Sequence, residues 1–291
     1  MQHWIFVLLI SVTTFAFADA DTNITKDRIY GHKDGMALTY DVFTPANANG
    51  AGVAFMVSGG WYSVWMPAEQ RLPSFRALLD AGYTVFAVHH GSAPRFKVPD
   101  AVSDVRAAIR HIKANADSYA IASTRLGVFG GSAGGHLSLM LGLNAESPPT
   151  EPVVESRGGR KIRPSYNSPS DTNATVAAVV AYFPPVDLRS IVGPSDRFPA
   201  LDIGIDAAAA ISPILFVDSE DPPVKLIHGD ADTVVPLSNS TTLKAEMDKH
   251  GVENDLLILA DAGHGFQGED RSAAAIAMIE WFNKHLAAKK S

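Results

Sequence analysis

A serine flanked by glycines stands at position 132, in Leu126-Gly127-Val128-Phe129-Gly130-Gly131-Ser132-Ala133-Gly134-Gly135-His136. A short apolar run, then Gly-x-Ser-x-Gly, then a helix-compatible stretch puts one hydroxyl on a sharp strand-to-helix turn. Such a turn is tight, and its glycines stand where there is no room for a Cβ. Ser132 then presents its Oγ above the end of a sheet and at a helix N-terminus, where it can act as a nucleophile. Glycine-rich turns before helices also hold phosphates or serve as plain structural turns. The motif alone therefore leaves the chemistry open until a base, an acid and an oxyanion site are found.

The base is expected at His264, in Asp261-Ala262-Gly263-His264-Gly265-Phe266. This histidine follows an apolar strand and precedes the last helix, and its flanking glycines let the loop bring an imidazole over the sheet. The acid is expected at Asp232, in His228-Gly229-Asp230-Ala231-Asp232-Thr233-Val234-Val235-Pro236. That segment lies at the carboxyl end of a strand, where ligand chemistry gathers in open α/β sheets. Its rivals are Asp230, which otherwise shapes the turn, and Asp187, which ends an earlier strand. The order Ser…Asp…His favours Asp232.

An oxyanion site needs backbone N–H groups after an early strand. Val57-Ser58-Gly59-Gly60-Trp61 offers them, with Gly60 and Trp61 as donors and Ala133, next to the nucleophile, as the third. A plain Gly-Gly turn is the competing reading. Trp61, Tyr62, Trp65 and Met66 form an apolar cluster beside it, which either walls a pocket or pins the loop. His136, one helical turn after Ser132, reads as a helix-packing residue rather than a second base. His89-His90 ends a strand without matching carboxylates, so no metal site is assigned.

The elements that must position these groups are legible as alternating apolar and amphipathic runs. Strands are predicted over 28–30 and 36–43, joined by a turn at Lys33-Asp34-Gly35, then over 53–57, Thr84–Val88, 126–129, 176–182, 224–227 and 255–259. Helices are predicted over 70–81, 100–116, Ala133–Leu143, 237–250 and 273–286. Strands alternating with helices imply a mostly parallel sheet covered on both faces, with the opening hairpin as an antiparallel edge. Residues 147–173, rich in Pro, Ser, Arg and Gly, read as a polar insertion loop near the site, within a single domain spanning 21–291.

At 291 residues, 46% hydrophobic and 19% charged, the chain can bury a sizeable core. A net charge of −7 without a clustered basic patch argues against nucleic acid as a partner. Residues 4–18 are apolar and end in small residues, so 1–20 reads as a signal peptide cleaved after Ala18 or Ala20, with a secreted or periplasmic product. That run is short for a bilayer span, and no stable membrane span is expected. The chain has no cysteine, which removes disulfides, thiolate nucleophiles and Cys-based zinc sites. Asn23, Asn173 and Asn239 begin Asn-x-Ser/Thr triplets, relevant only in a host that glycosylates exported proteins.

The motifs, taken together, resemble the α/β-hydrolase superfamily, and within it carboxylesterases of the feruloyl/acetylxylan esterase-like and hormone-sensitive-lipase-like families. Gly130-Gly131-Ser132-Ala133-Gly134-Gly135-His136-Leu137 is similar to the family elbow. Val98-Pro99-Asp100-Ala101-Val102-Ser103-Asp104-Val105 is similar to a family helix start, and the loops around Asp232 and His264 match the acid and histidine loops. Ser58 stands where the family usually has a histidine, and His90-Gly91 where it usually has Tyr-Arg. The resemblance implies an α/β-hydrolase fold of about eight strands with helices on both faces. It also implies a serine esterase that needs no cofactor and acts on a small-molecule or polysaccharide-linked ester, such as an acetyl or feruloyl ester. The alternatives are a serine peptidase of the prolyl-oligopeptidase type and a non-catalytic binding protein on the same fold. Oligomeric state is left open.

Overall fold

The computed structural model describes residues 22–144 and 173–288, with the backbone of 154–155, 161–162 and 165–166. The expected leader over 1–20 lies outside the described residues, as does most of 147–173. Among the described residues, eight strands of five or more residues build the sheet: β1 (Asn23–Lys33), β2 (Met36–Thr44), β3 (Gly52–Met56), β4 (Thr84–Val88), β5 (Leu126–Gly131), β6 (Ala178–Tyr182), β7 (Val224–Gly229) and β8 (Asn254–Leu259). Their spatial order is β8-β7-β6-β5-β3-β4-β2-β1, and the two-residue piece Ser165–Tyr166 pairs outside β1. Strands β3 to β8 run parallel. The β1–β2 hairpin is antiparallel, and β2 meets β4 antiparallel.

The helices are α1 (Ala68–Asp80), α2 (Val98–Ala114), α3 (Ala133–Leu143), α4 (Ile205–Ala209), α5 (Ser238–His250) and α6 (Gly268–His285). Two apolar layers result, one on each face of the sheet. On one face α2, α3 and α5 contribute Ile109, Leu137, Leu141 and Leu243 against Val128, Val179 and Leu226. On the other, α1 and α6 contribute Phe75, Leu78, Met278 and Phe282 against Val53, Val85 and Val180. Alternation along each strand sends neighbouring side chains to opposite faces, so a strand buried on both sides reads as a continuous apolar run. The central strand β4 is buried throughout.

Helix α2 starts two residues before the expected 100, because Pro99 fits the first turn, where no N–H is needed. The Asp100 carboxylate accepts the Lys97 N–H at 3.0 Å and so closes that start. Between β6 and β7, where the sequence pattern indicates no element, the chain forms short helical turns: Leu188–Ser190, Pro199–Leu201, α4 and Pro213–Phe216. The last of these packs against α3. Helix α3 leads away from Ser132, so Asn144 sits at its far end. Asn173, where the described chain resumes, bonds Lys113 near the end of α2.

Candidate active site

Every site residue expected from sequence stands just beyond the carboxyl end of a parallel strand: Gly60 and Trp61 after β3, Ser132 after β5, Asp232 after β7 and His264 after β8. Ser132 takes φ +54° and ψ −120°, a strained conformation for a residue with a Cβ. Its N–H donates to Tyr182 O at 2.9 Å, and its carbonyl accepts from His136 N at 2.9 Å. The glycines make this turn possible. A Cβ on Gly130 would stand 2.5 Å from the Gly134 carbonyl group, and one on Gly134 would stand 2.7 Å from Met56 O. Helix α3 thereby rests its N-terminus against the end of β3.

The structure brings Ser132, His264 and Asp232 into one hydrogen-bonded chain. His264 Nε2 is 2.9 Å from Ser132 Oγ, and His264 Nδ1 is 2.7 Å from Asp232 Oδ2. A carboxylate only accepts, so Nδ1 carries the proton and Nε2 presents its lone pair to the serine hydroxyl. The other oxygen, Asp232 Oδ1, accepts the N–H groups of Val234 and Val235 at 2.8 and 2.9 Å. Burial by itself would raise the Asp232 carboxyl, but the hydrogen bond from His264 and the two N–H donors outweigh it and hold the carboxyl below its usual value. The rivals go elsewhere. Asp230 accepts from Asp261 N at 2.7 Å and shapes the turn, while Asp187 pairs with Arg189 at 2.6 Å.

Beyond β3, Gly59 and Tyr62 exchange two backbone hydrogen bonds of 3.0 Å, which turns the chain back on itself. Among the described residues, none accepts the N–H groups of Gly60, Trp61 or Ala133. These three donors are available to a ligand oxygen. The aromatic cluster divides: Trp61 is buried and pins the loop, while Trp65 is 65% exposed. His136 is fully buried and does not reach Ser132 Oγ as a second base; its ring bonds Trp61 Nε1 and Ile211 O instead.

Three neighbours of the site carried no assigned role in the sequence. Phe183, at φ +36°, lays its ring 4.6 Å from that of His264. Its only signal was an aromatic at the end of a strand before Pro184-Pro185. His228 is buried behind Asp232, with Nε2 2.9 Å from Val235 O and 3.4 Å from Asp232 Oδ2. It was visible as the first residue of the acid loop. The third is the pairing of Ser58 with His90, whose side chains meet at 2.9 Å. A cavity of about 650 Å³ opens between α1 and α6 over Phe55, Phe129 and Gly131, but Ser132 and His264 do not line it.

No group of three or more His, Asp or Glu among the described residues converges as a metal site. No helix among them is long and apolar enough to cross a membrane.

The BD-FAE family model matches residues 40–247. Esterase LipQ of Mycobacterium tuberculosis is 26% identical over 227 residues, 74% of this chain and 50% of that protein. The probable carboxylic ester hydrolase LipM of the same organism is 27% identical over 192 residues, 65% of this chain and 43% of that protein. The chain thus spans about half the length of the curated relatives it matches. Among solved structures, a truncated carbohydrate esterase from gut microbiota is 28% identical with a TM-score of 0.72, covering 92% of this chain and 98% of that one. Thermogutta terrifontis esterase 2, phosphonylated by sarin, shares the fold at a TM-score of 0.74 and 21% identity, covering 94% and 98%.

Proposed function

The chain belongs to the BD-FAE family, with an α/β-hydrolase fold, and on that premise we propose that it is a serine carboxylic-ester hydrolase. The observation that carries the proposal is the imidazole of His264, bonded to Ser132 Oγ on one side and Asp232 on the other. Ser132 Oγ attacks the ester carbonyl as its proton passes to His264 Nε2. The C–O π electrons move onto the carbonyl oxygen, giving a tetrahedral oxyanion. The N–H groups of Gly60, Trp61 and Ala133 are the donors for that charge, and loss of one such donor costs roughly 3 kcal/mol of barrier. The intermediate collapses as the bond to the leaving alkoxide breaks, and His264 returns its proton to the alkoxide. Water, activated by the same imidazole, then releases the acid from the acyl-enzyme. Asp232 holds the useful tautomer and stabilises the imidazolium without taking its proton.

For the substrate, we infer an acyl ester carried by a carbohydrate. The support is the 28% identical carbohydrate esterase, which this chain covers almost end to end. The test compares p-nitrophenyl acetate, acetylated xylan and feruloylated arabinoxylan. Hydrolysis of the first, abolished in Ser132→Ala, is the expected result for the mechanism. Release of acetate or ferulate from a polysaccharide is the expected result for the substrate. An unimpaired Ser132→Ala variant would overturn the first reading, and cleavage of the small ester alone would overturn the second.

A further inference from the structure

The turn that carries Gly60 and Trp61 is strained. The two residues take φ of +57° and +60°, and a tryptophan stays there only if its surroundings hold it. Two side-chain bonds leave this turn in different directions, and each ends on a buried imidazole. Ser58 Oγ lies 2.9 Å from His90 Nε2. The Trp61 indole N–H donates to His136 Nδ1 at 3.3 Å, with the rings edge-on at 76°.

Each imidazole gives its other nitrogen to a backbone carbonyl. His90 Nδ1 is 2.9 Å from Gly91 O, and His136 Nε2 is 2.7 Å from Ile211 O. A carbonyl only accepts, so these two nitrogens carry the protons, and on a neutral ring the opposite nitrogen carries a lone pair. The indole N–H only donates, which independently requires a bare Nδ1 on His136. Among the described residues, buried His90 bonds only a carbonyl and a hydroxyl, with no carboxylate to offset a charge, so it too is neutral. The two rings are of opposite tautomer, and Ser58 donates its hydroxyl proton to His90. Burial pushes both imidazoles down to about 4, in keeping with neutral rings at pH 7.

Both rings are anchored. The Gly91 N–H donates to Asp104 Oδ2 at 2.8 Å, and Asp104 in turn pairs with the buried Lys33 at 2.6 Å. This ties His90 to α2 and β1. His136 belongs to α3, the helix that Ser132 begins, so it ties the turn to the element that carries the nucleophile.

We propose that His90 and His136 are positioning residues, a pair of neutral imidazoles of opposite tautomer that clamp the Ser58–Trp61 turn and set its backbone N–H groups relative to Ser132 Oγ. The clamp's use in turnover rests on the esterase reading; its geometry does not. It also accounts for the two departures from the family motifs. Ser58 and the His90-Gly91 pair stand out of pattern separately, yet in space the serine hydroxyl and the imidazole complete one another.

The acceptor positions make the proposal testable. A glutamine at 90 brings its amide oxygen near the place of Nε2, and an asparagine does not reach it. At 136 the order reverses, because an asparagine oxygen falls near Nδ1. With p-nitrophenyl acetate, His90→Asn and His136→Gln are expected to lose at least tenfold in kcat with KM within twofold. His90→Gln and His136→Asn are expected to stay within threefold in kcat. A donor that strengthens its bond only in the transition state acts on kcat, so this split separates positioning from general loosening. The same Gln/Asn order at both positions, or losses that simply track Tm, would overturn the proposal. Imidazole ¹⁵N spectra of the wild-type chain at pH 7 judge the clamp without any ester. They should report Nδ1–H for His90 and Nε2–H for His136, and the other tautomer or an imidazolium at either position overturns it. A chain that hydrolyses no ester but shows these tautomers refutes the esterase reading and leaves the clamp standing.

Discussion

Asp232 divides its work between its two oxygens. Oδ1 is fixed by the Val234 and Val235 N–H groups, which leaves Oδ2 facing His264. In Asp232→Asn the amide oxygen is the natural acceptor for those two backbone donors, so the NH₂ group turns towards His264. The imidazole must then bear its proton on Nε2, facing Ser132, where it cannot accept the hydroxyl proton. The expected loss is about 10³–10⁴ in kcat at pH 7, with the fold intact. Steady-state hydrolysis of p-nitrophenyl acetate checks it, and a loss under tenfold would show that the carboxylate does not set the tautomer. At this scale the sequence carried Ser132, Asp232 and His264, because each lies in a short motif whose residue types have few other uses. Ser58 with His90, and Phe183 with His264, stayed hidden. Their partners are far apart in the chain, and nothing local marks a pairing that only the order of the strands creates.

Among the elements, the elbow and the histidine loop use glycine for different reasons. At Gly130 the obstacle is backbone on the opposite side of the turn, which cannot move aside as a side chain can. Gly130→Ala is expected to cost about 3 kcal/mol or more, read as a shift in urea midpoint, or to prevent folding outright. At Gly263 a Cβ meets nothing within 4 Å and the backbone has no positive φ, whereas Gly265 takes φ +127°. Gly263→Ala is therefore expected to leave the urea midpoint within about 0.5 kcal/mol of wild type, and Gly265→Ala to be strained. Equal costs at 130 and 263 would contradict this account. The sequence suggested that both glycines beside His264 free the loop, but the geometry requires only one. Helix limits were similarly half legible. The apolar periodicity of α6 begins near Ala273, so its polar first turn, Gly268 to Ser272, carried no pattern. Glu269 and Asp270 suit that turn through the helix dipole.

The whole molecule keeps several histidines neutral inside a sheet-and-helix core, and this fixes how its stability depends on pH. Burial pushes His89, His90 and His136 each down to about 4, with Arg71 acting further on His89 and Lys33 on His90. In an unfolded chain the same groups titrate near about 6.5. Above that pH both states hold them neutral, and they add no pH dependence. As the pH falls from about 6.5 towards 4, the unfolded chain takes up protons that the folded one refuses. Stability is therefore lost across that window, by about 1.4 kcal/mol per pH unit for each proton. Burial also lowers His111, His228 and His285, which add to the loss. Asp221, pushed up to about 6 by burial, and Asp41, also raised, run the other way, because the folded chain holds those protons more tightly. The histidines outnumber them, so Tm is expected to fall steadily between pH 6.5 and 4.5. The Asp232 carboxyl, held below its usual value, begins to add its own loss only under about pH 4. Thermal melts at half-unit steps check the slope. His136→Asn, which removes one buried imidazole, should flatten it by about one proton's worth. A Tm independent of pH across this range would mean that these rings are charged, or reached by water, in the folded chain.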